Sequence, residues 1–334
     1  MERSKERLFK EIINRLPKNV LLVEDIADVL ELSYDAAYRR LKGKTNLSFE
    51  EALKLAKHYD ISLNSLYGFS KENHLKVYKN DFRNSSEGLY DFFNSLCIFL
   101  KSFNKKSDNG IFYYAAKDVP IYHTPTTTLY GKFRLYAYLN ILSDFSVKNF
   151  VSFKNFIPPA KVVEESLKFK KMFKGINAVE IWSDTTINSL LYQVYYFYEA
   201  KFIDKFEALH MCEEIRMMIE NIELSSRLGE WGQKGNKLKY ELYYNKLISL
   251  SNATLFKSEK QKVFFVPYTD LSHFRIDDEI TNEEADYFFK KQLQFSKKLS
   301  GDGSVERKMF FNSMYDKIQQ LKDQIEVKSS ISFI

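Results

Sequence analysis

The 334 residues are 45% hydrophobic and 16% aromatic, with only 11 Gly and 6 Pro, which excludes a disordered chain and favours helices over a turn-rich all-β fold. Net charge is +6, yet residues 1–70 hold 12 Lys and Arg against 11 Asp and Glu, while residues 100–174 hold 13 against 5. No apolar run reaches the ~18 residues of a membrane span, the charged start Met1–Arg7 is unlike a signal peptide, and Cys97 and Cys212 sit among apolar residues like buried thiols of a cytoplasmic protein.

Leu8, Ile12 and Leu16, with Ile13 beside them, predict a first helix over 3–16 that Pro17 ends. A second helix is expected over 23–30, with Ile26, Ala27 and Leu30 inward. Ser33 is a good N-cap for a third, in which Ala37 and Leu41 face the core and Gly43 provides a left-handed stop. Ser48-Phe-Glu-Glu51 reads as a capping box. It opens a fourth helix with Ala52, Leu53, Leu55 and Ala56 available for burial, closed by Asp60. Ser62–Leu66 predicts a short fifth helix ending at Gly68.

The order and spacing of Val23–Gly43, Leu47–Ala56 and Ile61–Leu66 resemble the Cro- and phage-repressor-type helix-turn-helix domain, over about residues 3–68. Two positions depart from that family's pattern. Glu31 stands where glycine is frequent in the turn, and Val23 where glutamine often opens helix two. The resemblance implies a DNA-binding domain at 1–70, with the helix at 33–42 in the major groove. It carries base-facing roles onto Tyr34, Asp35, Ala36, Tyr38 and Arg39. Arg39 suits bidentate pairing with guanine, and Asp35 can accept from a cytosine amino group or cap its own helix. Arg40, Lys42 and Lys44 are placed as phosphate partners, and Ser33 at the helix N-terminus as a further phosphate contact.

A linker is expected at 71–85. Beyond it, 86–334 reads as a larger, mostly helical dimerisation or sensor domain, so that the whole chain is mainly α. Helices are predicted over 87–103, 128–143 and 160–173, with a helical hairpin over 185–224. Residues 110–122 lean towards β composition, 229–239 read as a Gly- and Lys-bearing loop, and 247–268 as one small β-hairpin. Thr281-Asn-Glu-Glu284 reads as another capping box, opening a helix to about Leu299, and a last helix is expected over 305–326.

No chemistry-bearing pattern accompanies these elements. The five histidines are scattered, two lone cysteines make no zinc pair, and no phosphate-cradling glycine loop occurs. No catalytic, cofactor or metal site is therefore expected. The resemblance implies a cytoplasmic, sequence-specific transcriptional regulator that binds double-stranded DNA, expected to act as a homodimer with a small molecule or peptide as effector. The near-neutral N-terminal segment keeps an alternative open: a protein-interaction adaptor, of toxin–antitoxin type or similar, that retains the fold without reading DNA.

Overall fold

A computed structural model describes residues 4–16, 20–61, 75, 77–80, 82, 85–106, 110–141, 151–233, 236–247, 249–259, 261–269 and 271–330. The chain divides into two compact units, residues 1–76 and 77–334. The expected fifth helix at 62–66, and most of the expected linker, lie outside the described residues.

In the first unit α1 (Ser4–Arg15), α2 (Leu22–Leu30), α3 (Tyr34–Leu41) and α4 (Phe49–His58) follow one another. Leu8, Phe9, Ile12, Ile26, Leu30, Ala37, Leu55 and Ile61 form its core. Ile13 and Leu53 instead face outward. Each boundary has a local cause. Glu31 ends α2 in the left-handed region at φ 56°, a conformation that costs a non-glycine residue roughly 1 kcal/mol. Ser33 then caps α3 by accepting from the Ala36 amide. Ser48 and Glu51 complete the capping box of α4, the Ser48 hydroxyl accepting from Glu51 N and the Glu51 carboxylate from Ser48 N. Arg15 donates to the carbonyls of Tyr59 and Asp60, fastening the end of α1 to the end of α4.

The second unit overturns the expectation of a mainly α chain with one small hairpin. Its described strands form a nine-stranded mixed sheet in the order β1 (Tyr78–Asn80), β8 (His273–Ile276), β7 (Lys262–Pro267), β6 (Thr254–Lys257), β2 (Ile111–Ala116), β3 (Asn177–Trp182), β5 (Asn236–Tyr244), β4 (Glu230–Gln233), with β9 (Lys297–Lys298) also pairing β5. β3 runs parallel to both β2 and β5, and the other pairs are antiparallel. The β6–β7 pair is the expected hairpin, absorbed into the sheet. The expected loop at 229–239 is instead largely the β4–β5 pair.

Helices cover both faces, because alternate residues of each strand point to opposite sides. Phe112, Ala116, Ala178, Trp182, Tyr240, Leu242, Phe256 and Phe265 join one large core. That core also takes side chains from α5 (Ser86–Lys106), α6 (Leu129–Ile141), α7 (Ala160–Phe173), α8 (Asn188–Glu199), α9 (Lys205–Leu228) and α11 (Ser304–Ser330). Ala115, Ile181 and Leu255 turn the other way, onto Ala285 and Phe289 of α10 (Glu279–Gln294). α10 starts upstream of the expected box, with Asp278 accepting from Thr281 N. Asp204 and Glu207 form a capping box that separates α9 from α8. Cys97 and Cys212 are both buried and unpaired. Among the described residues no helix is long and apolar enough to cross a membrane.

Candidate functional site

α3 is eight residues long, and its 3.6-residue period decides what it displays. Ala37 is fully buried, while Ser33, Tyr34, Asp35, Tyr38 and Arg39 are exposed and Ala36 is half-buried. Tyr34 and Tyr38, one turn apart, stack with ring centroids 6.5 Å apart. Lys42 Nζ lies 5.8 Å from the Tyr38 ring centre, and Lys42 and Lys44 are exposed beyond the helix. The turn at Gly43, φ 76°, lets the Lys44 amide fold back onto the Arg39 carbonyl.

Arg40 is placed differently from its neighbours. It donates to Glu51 and to the Ala36 carbonyl and is half-buried. Its guanidinium holds the Glu51 carboxyl below the usual carboxylate value. Arg40 therefore links α3 to α4 within the unit. Arg39, Lys42 and Lys44 are left as the exposed cations of this segment, with Asp35 the acid among them.

The second unit contains a cavity of about 510 Å³, within the range of small-molecule sites. α5 contributes Leu89, Phe92, Phe93 and Leu96 to its wall, and the sheet contributes Phe256, Phe265 and His273. Two cations also line it. Arg134 of α6 donates to Gln193 of α8. Lys170 of α7 donates to the Thr124 carbonyl and the Thr126 hydroxyl. Burial, aided by the like charge of Lys174, lowers the Lys170 ammonium to about 7.

Behind that cavity Glu180 of β3 is fully buried. Its carboxylate accepts from Tyr122 Oη at 2.8 Å, Trp182 Nε1 at 2.7 Å and Tyr240 Oη at 3.1 Å, and pairs with His123 Nε2 at 2.8 Å. Burial and the Glu180 charge push both phenols well above their ordinary value. With this many partners the carboxylate is a satisfied core group.

The cavity went unread in the sequence. Arg134 and Lys170 sit in the basic segment 100–174, but no spacing connects them. Both line one cavity only because the β2–β3 crossover places α6 and α7 over the sheet. Among the described residues no cluster of His, Cys, Asp and Glu is arranged to hold a metal. Comparison of the chain with family models, curated proteins and solved structures finds no match.

Proposed function

We propose that the chain is a sequence-specific DNA-binding transcriptional regulator, with α2 and α3 acting as a helix-turn-helix and α3 entering the major groove. The observation that carries this reading is the split of α3. Ala37 is buried in the core of the first unit, while Tyr34, Asp35, Tyr38 and Arg39 stand out together on a short, Ser33-capped helix. An α-helix fits the major groove, and side chains on its first turns reach base edges. With Arg40 engaged by Glu51, few cations remain for phosphates, so one copy binds weakly and in a strongly salt-dependent way. Two copies joined through the second unit supply the rest. Exposed aromatics of that unit, Tyr192, Tyr196, Tyr287 and Phe288, offer apolar surface for such pairing.

The test is selection from random double-stranded DNA by the full chain, followed by binding at one fixed salt concentration. The expected result is an enriched palindrome, with Arg39→Ala losing about 1–3 kcal/mol and relaxing the preference at one base pair. Unchanged affinity and unchanged base preference would remove α3 as the reading helix. The Arg40–Glu51 pair and the near-neutral charge of residues 1–70 favour one second reading, a protein-interaction adaptor. No enriched sequence, together with a stoichiometric protein partner, supports that reading.

A further inference from the structure

We propose that the cavity of the second unit binds an organic anion with an apolar body, its head group held between Arg134 and Lys170 and its body packed on the phenylalanines of α5, α7 and the sheet. That such a ligand governs DNA binding rests on the regulator reading above; its occupation of the cavity does not.

Charge placement selects the class. Lys257 and Lys262 of this unit, also partly buried, share a carboxylate partner, Asp286, at 2.8 Å and 3.2 Å, whereas Lys132 and Lys317 donate to carbonyl and amide oxygens. Arg134 and Lys170 have no carboxylate partner among the described residues, although both are half-buried on the wall of an apolar chamber. Among the described residues the one acid lining the chamber, Asp118, is engaged by Asn252, whose Nδ2 donates to Asp118 Oδ2 at 2.8 Å and whose Oδ1 accepts from the Asp118 amide at 2.9 Å. The α6 N-terminus is also taken, since Glu214 accepts from the Leu129 and Tyr130 amides. The two side-chain cations are therefore what remains for a negative head group.

Lys170 has three ammonium donors, of which Thr124 and Thr126 take two. A carboxylate beside it satisfies the third and returns a buried ammonium to its charged form. A neutral amphiphile would leave the Arg134 guanidinium without a counter-charge, which is costly, and Lys170 without its proton, and a cationic one would add repulsion. Burial lowers His273 below its ordinary value and raises the phenols of Tyr114 and Tyr122, so these lining groups do not take up a proton near pH 8. Lys170 does.

The test is calorimetry on the full chain with three probes of one chain length, dodecanoate, dodecanol and dodecyltrimethylammonium, below their micellar concentrations at pH 8. Two buffers of different ionisation enthalpy report the protons exchanged. Dodecanoate is expected to bind one per chain, at least tenfold tighter than dodecanol or dodecyltrimethylammonium, with net proton uptake. Arg134→Gln and Lys170→Met are each expected to weaken dodecanoate at least tenfold and to leave dodecanol within about twofold. Absent dodecanoate binding, equal binding of dodecanol, or undiminished dodecanoate affinity in both variants would overturn the proposal. Should a variant fail to fold, the head-group comparison and proton uptake of the unmodified chain still decide. DNA affinity measured with and without dodecanoate tests only the regulator reading.

Discussion

Arg40 of α3 donates through Nε to Glu51 Oε1 at 2.8 Å, while Glu51 Oε2 accepts from the Ser48 amide at 2.9 Å. One carboxylate thus caps α4 and fixes the position of α3 against it. Glu51→Ala removes both roles and is expected to cost about 1–2 kcal/mol of stability in the first unit, chiefly through the lost cap. A double-mutant cycle with Arg40→Ala isolates the ion pair, for which a coupling of about 0.5–1 kcal/mol is expected for half-buried partners. Amide exchange in α3 and α4 reads the loss locally. Zero coupling would make the pair incidental and return Arg40 to the set of available cations.

Glu180 offers a sharper stability test, because its donors have nowhere else to turn. Glu180→Gln places an amide NH₂ where an oxygen had accepted, opposing N–H and O–H donors in a fully buried site. A loss of about 1–3 kcal/mol in urea unfolding of the second unit is expected, the cost of leaving buried donors unsatisfied. Tyr240→Phe removes only one donor and is expected to cost about 1 kcal/mol. A Gln variant as stable as the parent would show that the carboxylate is not what holds this cluster.

The legible parts of the chain were those whose periodicity has one wet face. Leu8 and Ile12, the Ser33 cap and the Ser48–Glu51 box place α1, α3 and α4 by local rules alone, and the same 3.6 period separates Ala37 from Tyr34, Tyr38 and Arg39. β3 lacks that signal. From Ala178 to Trp182 every residue is buried, so a strand covered on both faces shows no alternation, and the charged Glu180 at its centre interrupts even the apolar run that would mark such a strand. β5 did alternate: Leu238, Tyr240 and Leu242 point inward between Lys239 and Glu241. Its lysines and the glycines just before it masked the pattern as a loop. The cavity was illegible for a different reason, since its cations lie on separate helices and share a wall only once the sheet has formed.

Lys170 makes unliganded stability depend on pH in a defined direction. Its ammonium titrates at about 7 in the folded chain and near 10.4 when unfolded. Between those values the unfolded chain holds more protons, so this group's contribution to stability rises with pH. Below pH 7 both states are charged and the full penalty of burying the cation is present. Lys170→Met is therefore expected to gain most, relative to the parent, at pH 6–7, with the difference shrinking towards pH 10. Thermal melts of ligand-free protein at pH 6.5, 8 and 9.5 check this. A difference independent of pH would mean that Lys170 stays charged throughout.

Gly131 bears on the same cavity through backbone packing. It lies in the first turn of α6, where the Pro125–Thr126 segment of the cavity wall crosses it. A Cβ at this position would stand 2.1 Å from the Pro125 carbonyl oxygen and 2.6 Å from that of Thr126. In an open helix, glycine to alanine gains about 1 kcal/mol. Here the obstacle is backbone, which no rotamer change can move aside. Gly131→Ala is expected to lose about 1–3 kcal/mol through overpacking. Because relief requires the loop to lift, Thr124 and Thr126 shift away from Lys170, and dodecanoate affinity falls along with the melting temperature. A variant with raised stability and unchanged affinity would show that the loop yields freely, and that this wall of the cavity is not held in place by α6.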